Sequence, residues 1–291
     1  MEATTTRLAL GLHRGVPFST YADLRAMNSG ALRAGRETLA LMRHEMVEGR
    51  ESSDALDLGI CCHEMIFEPD TVASRVAVSP KFDRRTNVGK ADSAAFEAAN
   101  VGKLIVNTDE YATAKLVAES IRKHPEARRL LDATGPCEAT AVWVDEETRL
   151  LCKARLDKFI PGVVALDLKT TRKASPRMFA KSVASYGYAQ QAAWYLDGFK
   201  AVTGEDTPFT FIAAETAPAY GVGVYTLKNE DIEAARQLNR RILRAFAEAQ
   251  KCGEWPCYSD KVEELEVPAW AFELGSGLGG FGLPEADDHA F

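Results

Sequence analysis

The order of patterns along the chain predicts an α/β fold, with a small central mixed sheet flanked by helices and a helical N-terminal extension before it. Three observations carry this. Helical patterning dominates as far as residue 133. Gly135-Pro136 then breaks the chain, and Glu138 to Val144 turns to an alternating run rich in Thr, Val and Trp, as strands are. Val163-Val-Ala-Leu-Asp-Leu-Lys169 is a short, nearly continuous apolar run, the mark of a central strand covered on both faces.

Residues 19–50 read as helical, with Ser29 capping a helix that starts at Gly30-Ala31-Leu32. Residues 53–68 read as a second helix, in which Leu56, Ile60 and Ile66 mix with small residues around Gly59 and Pro69 marks the stop. Residues 79–92 are polar and basic without a period and read as an exposed loop, while 93–103 and 108–133 read as helical. Glu138 to Val144 and Arg149 to Phe159 form a hairpin about the turn Asp145-Glu146-Glu147-Thr148, and Pro161-Gly162 turns the chain into Val163–Lys169. Ser175-Pro176 opens a helix, with Ser as cap and Pro in the first turn. Helical character returns from Tyr188 to Val202, strands follow at Phe209–Ala214 and Gly223–Leu227, and Asn229 caps a long last helix from Glu230 to Cys252. The stretch from Gly275 is Gly-rich, then acidic, and is expected to be flexible. The expected organisation is an N-terminal segment (1–20) and a single domain (21–268) with a helical part (21–134) and an α/β core (135–258). A tail (269–291) follows.

At 291 residues and a formal net charge of −7, the chain is long enough to bury a substantial core. The acidity argues against a passive, charge-driven nucleic-acid binder, although a local basic channel can coexist with an acidic outer face. No apolar run is long enough to span a bilayer, and Met1 to Arg14 lacks the basic-then-apolar order of a signal peptide. A cytoplasmic protein with no membrane partner is expected. The six cysteines, Cys61, Cys62, Cys137, Cys152, Cys252 and Cys257, form no CxxC pair. They read as small buried hydrophobes rather than as a disulfide framework or a metal cluster.

The stretch that carries chemistry is Arg155-Leu-Asp157 with Leu166-Asp167-Leu-Lys169. Asp167 and Lys169 are two apart on a strand and project from one face. Charged groups at the end of an apolar strand are costly to bury unless they are paired or bind something. The short Pro-Gly turn lets Asp157 approach Asp167, and two converging carboxylates call for a divalent cation of the Mg²⁺ or Mn²⁺ kind. Lys169 beside it is placed to act on the attacking water or on phosphate charge. A plain Asp167–Lys169 salt bridge on an edge strand is the alternative, and the flanking apolar run argues against an edge.

Asp-x(9)-Asp-Leu-Lys resembles the PD-(D/E)xK nuclease pattern, with Asp at the second acidic position. The likeness extends to RecE and lambda-type exonucleases and to RecB-like nuclease domains. Leu58-Gly59-Ile-Cys-Cys-His63 resembles the helix that supplies a metal-ligating histidine in that group, which makes His63 a ligand. Glu138 matches a glutamate before the catalytic hairpin, with a metal-coordinating or water-holding role. Tyr188-Ala-Gln-Gln191-Ala-Ala-Trp-Tyr195 resembles the QxxxY motif, whose residues share a helix face and reach the active centre and the DNA backbone. Met27-Asn-Ser29-Gly-Ala-Leu32 resembles the N-terminal Ser-x-x-Leu helix, where Arg33 and Arg36 are placed for phosphate contact.

The resemblance implies a restriction-endonuclease-like core holding Mg²⁺, with Mn²⁺ able to substitute. The ligands would be His63, Asp157, Asp167 and the Leu168 backbone carbonyl, with Lys169, Glu138, Gln191 and Tyr195 also in the catalytic centre. It implies a 5′-to-3′ exonuclease acting on ends of linear double-stranded DNA. The product would be 3′ tails for a single-strand annealing recombinase, and the enzyme would be a ring-shaped homo-oligomer. Relatives with an iron–sulfur cluster place three cysteines after the core; only Cys252 and Cys257 lie there, so no cluster is expected. Tyr188, Lys153, Arg155, Arg172, Lys173, Arg177 and Lys181 would line the DNA path, and Arg84, Arg85 and Lys90 a strand-contacting loop. An endonuclease or structure-specific nuclease of the same fold, or a DNA-binding relative without catalysis, remain the rival readings.

Overall fold

The computed structural model describes residues 8–48 and 54–272; the tail expected from Gly275 lies outside the described residues. The chain begins with β1 (Gly11–His13), α1 (Phe18–Asp23), α2 (Ser29–Ala34), α3 (Leu39–Glu48) and α4 (Asp54–Phe67). After a 3₁₀ turn, Pro69–Thr71, come α5 (Val72–Arg75), β2 (Val76–Ser79), α6 (Asn87–Ala99), β3 (Leu104–Asn107), α7 (Thr108–Lys123) and α8 (Pro125–Asp132). The second half holds β4 (Cys137–Val144), β5 (Leu151–Ile160), β6 (Val164–Thr171), α9 (Pro176–Ser185), α10 (Tyr188–Thr203), β7 (Phe209–Glu215), β8 (Val222–Tyr225) and α11 (Asn229–Cys252). Residues up to Cys257 form one compact unit; the next begins at Tyr258, and its described part contains a 3₁₀ turn, Ala269–Phe272.

Six strands make one mixed sheet in the order β1-β4-β5-β6-β7-β8, and β6 runs parallel to β7 while every other pair is antiparallel. The apolar run of β6 thus occupies the centre, as its composition predicts. Alternation sends Ala165 to one face with Leu156, Phe209 and Phe211, against α2, α3, α10 and α11. Leu166 and Leu168 go to the other face, against α4 and α7. A separate parallel pair, β2 and β3, packs beside α4 and α7.

Several sequence expectations need correction. The helical stretch 19–50 is three helices, and Asn28 rather than Ser29 caps the second: its backbone is extended and its Oδ1 accepts the Ala31 N–H at 3.0 Å. The loop expected at 79–92 ends at Thr86, whose hydroxyl caps α6 by accepting the Gly89 N–H at 3.0 Å. The run 108–133 breaks at His124-Pro125, because the residue before proline is pushed out of the helical region (His124 φ −73°, ψ 119°). Asn229 is the first helical residue of α11, with Lys228 at the cap position. Strands β1, β2 and β3 are too short to show a period and were not expected. Cys61, Cys62 and Cys152 are buried, but Cys137 is half-buried and Cys252 and Cys257 are exposed. Among the described residues no helix is long and apolar enough to cross a membrane.

Candidate metal centre

Backbone pairing of β5 with β6 runs from Ile160–Val164 to Lys158–Leu166 and stops. The next pair in register would set Asp157 against Asp167, two carboxylates in a dry interior. Instead the strands part, and the Asp157 side chain takes the place of a strand partner: its Oδ2 accepts the Leu168 N–H at 2.5 Å. The opening this leaves is where the charged residues gather.

Asp167 and Lys169 lie on the α10 side of β6. Their Oδ2 and Nζ are 2.6 Å apart, and Nζ stands 4.7 Å from the centre of the Tyr188 ring. Burial pushes the Asp167 carboxyl up to about 6, helped by the Asp157 charge and opposed by Lys169. Burial disfavours charge on Lys169 too, but Asp167, Tyr188 and Asp157 outweigh it and raise its pKa. Both groups of the DxK motif are therefore set by one another.

His63 arrives from the opposite face. On α4, a Cβ at Gly59 would meet the Thr170 hydroxyl at 3.3 Å, so the glycine lets the helix lie close to β6. Roughly one turn later, the His63 Nε2 is 3.1 Å from the Leu168 carbonyl and Nδ1 is 3.4 Å from Asp157 Oδ1. Burial alone would lower the imidazole pKa. The Asp157 charge and hydrogen bond, with Glu138 and Asp167 behind them, win and raise it to about 9. His63 in turn overcomes burial at Asp157 and holds that carboxyl below its usual range.

Glu138, on β4, adopts φ 51°, a left-handed conformation costly for a residue with a side chain. Its carboxyl is raised by burial and by Asp157, and drawn back by Arg155, whose Nε donates to Glu138 Oε2 at 2.5 Å. One donor atom each from His63, Glu138 and Asp157 fall within 4.8 Å of one another, the one such group among the described residues. With the Leu168 carbonyl beside His63, the set is one imidazole and hard oxygens, which fits a small divalent cation. The sequence placed Asp167 in that set and left Glu138 at its margin. In the structure Glu138 belongs to the group, and Asp167 turns an oxygen to Lys169.

Helix α10 backs the opening. It starts after Gly187 at φ 68°, and Gln191 Nε2 donates to the Tyr195 hydroxyl at 3.0 Å. Burial raises the Tyr195 pKa well above the ordinary value, and the hydroxyl also bonds the Ser29 side chain. The Gln191 Oε1 is buried and has no protein partner among the described residues. Gln190, which the motif did not mark, is fully internal and exchanges hydrogen bonds with Asn239 of α11.

Set beside this parted strand pair, its carboxylates and the DxK lysine is the match of the chain to one family model. That model, a PDDEXK-like domain of unknown function (DUF3799), matches residues 18–268. The chain belongs to this PDDEXK-like family. Among solved structures it is similar to the crystal structure of a protein described as "Putative exonuclease" from Eubacterium rectale, with 16% identity and a TM-score of 0.55. The match covers 86% of this chain and 94% of that one, and at that identity it speaks to the fold. No curated protein shows a significant match.

The basic residues of this PDDEXK-like chain divide into two groups. Lys153 and Arg155, expected on a DNA path, are buried under residues 16–24. Lys153 donates to the Tyr21, Ala22 and Leu24 carbonyls, and Arg155 to Glu138 and the Val16 carbonyl. Arg172 and Lys173, just past β6, and Arg177 and Lys181 on α9 are exposed. Arg33 is half-buried and pairs with Glu45 at 3.6 Å; Arg36 is exposed and donates to the Ala184 carbonyl at 3.3 Å. Arg84 and Arg85 pair with Glu97 and Asp83, and Lys90 is exposed on α6, so the expected basic loop is in part a paired, helical surface.

Proposed function

We propose that this protein is a divalent-metal-dependent DNA exonuclease. The observation that carries the reading is the parted β5–β6 pair, with His63, Glu138 and Asp157 grouped within 4.8 Å and the Asp167–Lys169 pair beside them. His63, Glu138, Asp157 and the Leu168 carbonyl would hold Mg²⁺, with Mn²⁺ able to substitute; Asp167, the further ligand that the resemblance implies, pairs with Lys169. When bound, the cation supplies charge neutralisation for a scissile phosphate and acidifies water. Lys169 keeps its proton and aims positive charge at the same opening, where it orients the attacking water and offsets charge on the phosphate. Asp167 holds the Lys169 ammonium in place. Gln191, through its free carbonyl oxygen, and Tyr195 order the wall facing the phosphate. Arg172 and Lys173 carry the backbone of the duplex toward the opening.

The finer reading is that of the RecE-type resemblance: 5′-to-3′ digestion of linear double-stranded DNA by a ring-shaped homo-oligomer. The product would be 3′ single-stranded tails for an annealing recombinase. The Eubacterium rectale neighbour, described as a "Putative exonuclease", supports the exonuclease part of this reading and not its polarity, ring or partner. The test is digestion of end-labelled linear and closed circular DNA with Mg²⁺, using Asp167→Ala as control. Linear duplexes with one 5′ end phosphorylated and the other blocked should shorten from the phosphorylated end. Cleavage of circles would replace the exonuclease reading by an endonuclease. No cleavage by parent and variant alike would sink the enzymatic reading.

A further inference from the structure

Glu138 is an awkward residue to place in a metal centre. Its left-handed φ of 51° takes it out of regular strand geometry, so β4 alone does not fix where its carboxylate points. What touches that carboxylate is Arg155 on β5, with Nε 2.5 Å from Oε2. The guanidinium is itself locked. Its Nη1 donates to the Val16 carbonyl at 2.7 Å, and its central carbon stands 6.0 Å and 5.8 Å from the rings of Phe18 and Tyr21. Only 10% of the side chain is exposed, so little of it is free to meet a phosphate.

Two residues earlier, Lys153 grips the far end of the same segment through the Tyr21, Ala22 and Leu24 carbonyls at 2.7, 3.2 and 2.7 Å. Those carbonyls close the C-terminal end of α1, where a cation is favourable. Residues 153, 155 and 157 alternate onto one face of β5. That single row thus pins the N-terminal strap at two points and supplies a metal donor at the third.

We propose that Arg155 is a positioning residue: it fixes the Glu138 carboxylate in the metal centre and is itself fixed by the strap from Val16 to Tyr21. This rests on the reading of His63, Glu138 and Asp157 as metal donors. The fork of an arginine is needed, because one arm must reach Glu138 while another reaches Val16; an ammonium supplies one point of charge.

The test is Mn²⁺ binding to the full chain, read from the electron paramagnetic resonance of free Mn²⁺, with melting curves for each variant. Arg155→Met should weaken Mn²⁺ by about tenfold or more, as loss of a residue supporting a ligand does. Arg155→Lys should fall between, and carries the test if Arg155→Met does not fold. In a Glu138→Gln background, Arg155→Met should change affinity by less than about twofold, because its route to the metal is already gone. With Ca²⁺ and DNA, Arg155→Met should leave the slope of log affinity against log salt unchanged.

The proposal is overturned if Arg155→Met binds Mn²⁺ like the parent while Glu138→Gln does not. It is overturned if the loss is as large in the Glu138→Gln background, or if the salt slope falls by about one, the mark of a phosphate contact. Should Asp157→Asn bind Mn²⁺ like the parent, the metal centre itself fails and the proposal with it.

Discussion

The His63 Nε2 lies 3.1 Å from the Leu168 carbonyl oxygen, so one imidazole joins helix α4 to the strand that carries the DxK motif. Its other nitrogen faces Asp157, and the pKa is raised to about 9, so near neutral pH the ring carries a proton on each nitrogen. A cation bound there must displace a proton. Proton and cation compete for the ring in the folded protein, so affinity should rise as pH climbs toward about 9 and level off above it. Calorimetry of Mn²⁺ binding in buffers of different ionisation enthalpy should show proton release near neutral pH. Binding with no proton released would remove His63 from the ligand set.

Lys169 and Asp167 act as one unit, and removing the lysine should show in two ways. Lys169→Met should lower the single-turnover cleavage rate by about 10²- to 10³-fold, the usual effect of losing one group aimed at developing charge. Lys169 also holds the Asp167 carboxyl down against burial, so without it that carboxyl moves above about 6. In a metal-free melting series the ionisation of Asp167 should then shift to higher pH. DNA binding in Ca²⁺ should persist, which separates a chemical defect from a binding one.

Strand alternation put Asp167 and Lys169 on one face and the Pro-Gly turn brought Asp157 toward them, whereas His63 and Tyr188 were marked only through the family resemblance. The central β6 was legible in the sequence, its apolar run being long enough to leave only a doubly covered position. What the sequence hid depends on partners far along the chain. Lys153 and Arg155 look like a basic track, yet their acceptors are the backbone carbonyls of Val16, Tyr21, Ala22 and Leu24, and a carbonyl leaves no trace in composition. Glu138 seemed marginal because nothing local announces a left-handed residue inside a strand.

Gly198 on α10 tests the packing that carries the motif helix. A Cβ there would stand 2.3–2.8 Å from three carbons of the Trp143 ring, which itself lies 4.8 Å from the Trp194 ring. Those are buried, rigid groups with no flexible end to give way. Gly198→Ala should therefore cost about 1–3 kcal/mol, the range for overfilling a packed core. A lowered urea midpoint at unchanged slope would show it. An unchanged midpoint would mean that the Trp143–Trp194 pair is looser than the described packing.

The basic residues give the last prediction, because the structure divides a set that the sequence treated as one. Arg172 and Lys173 are exposed beyond the end of β6, while Lys153 is buried against the end of α1, which lowers its pKa to about 8. Removing one cation that meets a phosphate reduces the salt slope of DNA binding by about one. The double variant Arg172→Ala/Lys173→Ala should therefore lower that slope by about two and weaken binding across all sequences. Lys153→Met should leave the slope alone and instead speed amide exchange in residues 18–24, whose C-terminal carbonyls lose their donor. A reversed pattern, with Lys153 moving the slope and the exposed pair not, would place the duplex on the strap side of the sheet and overturn the assigned path.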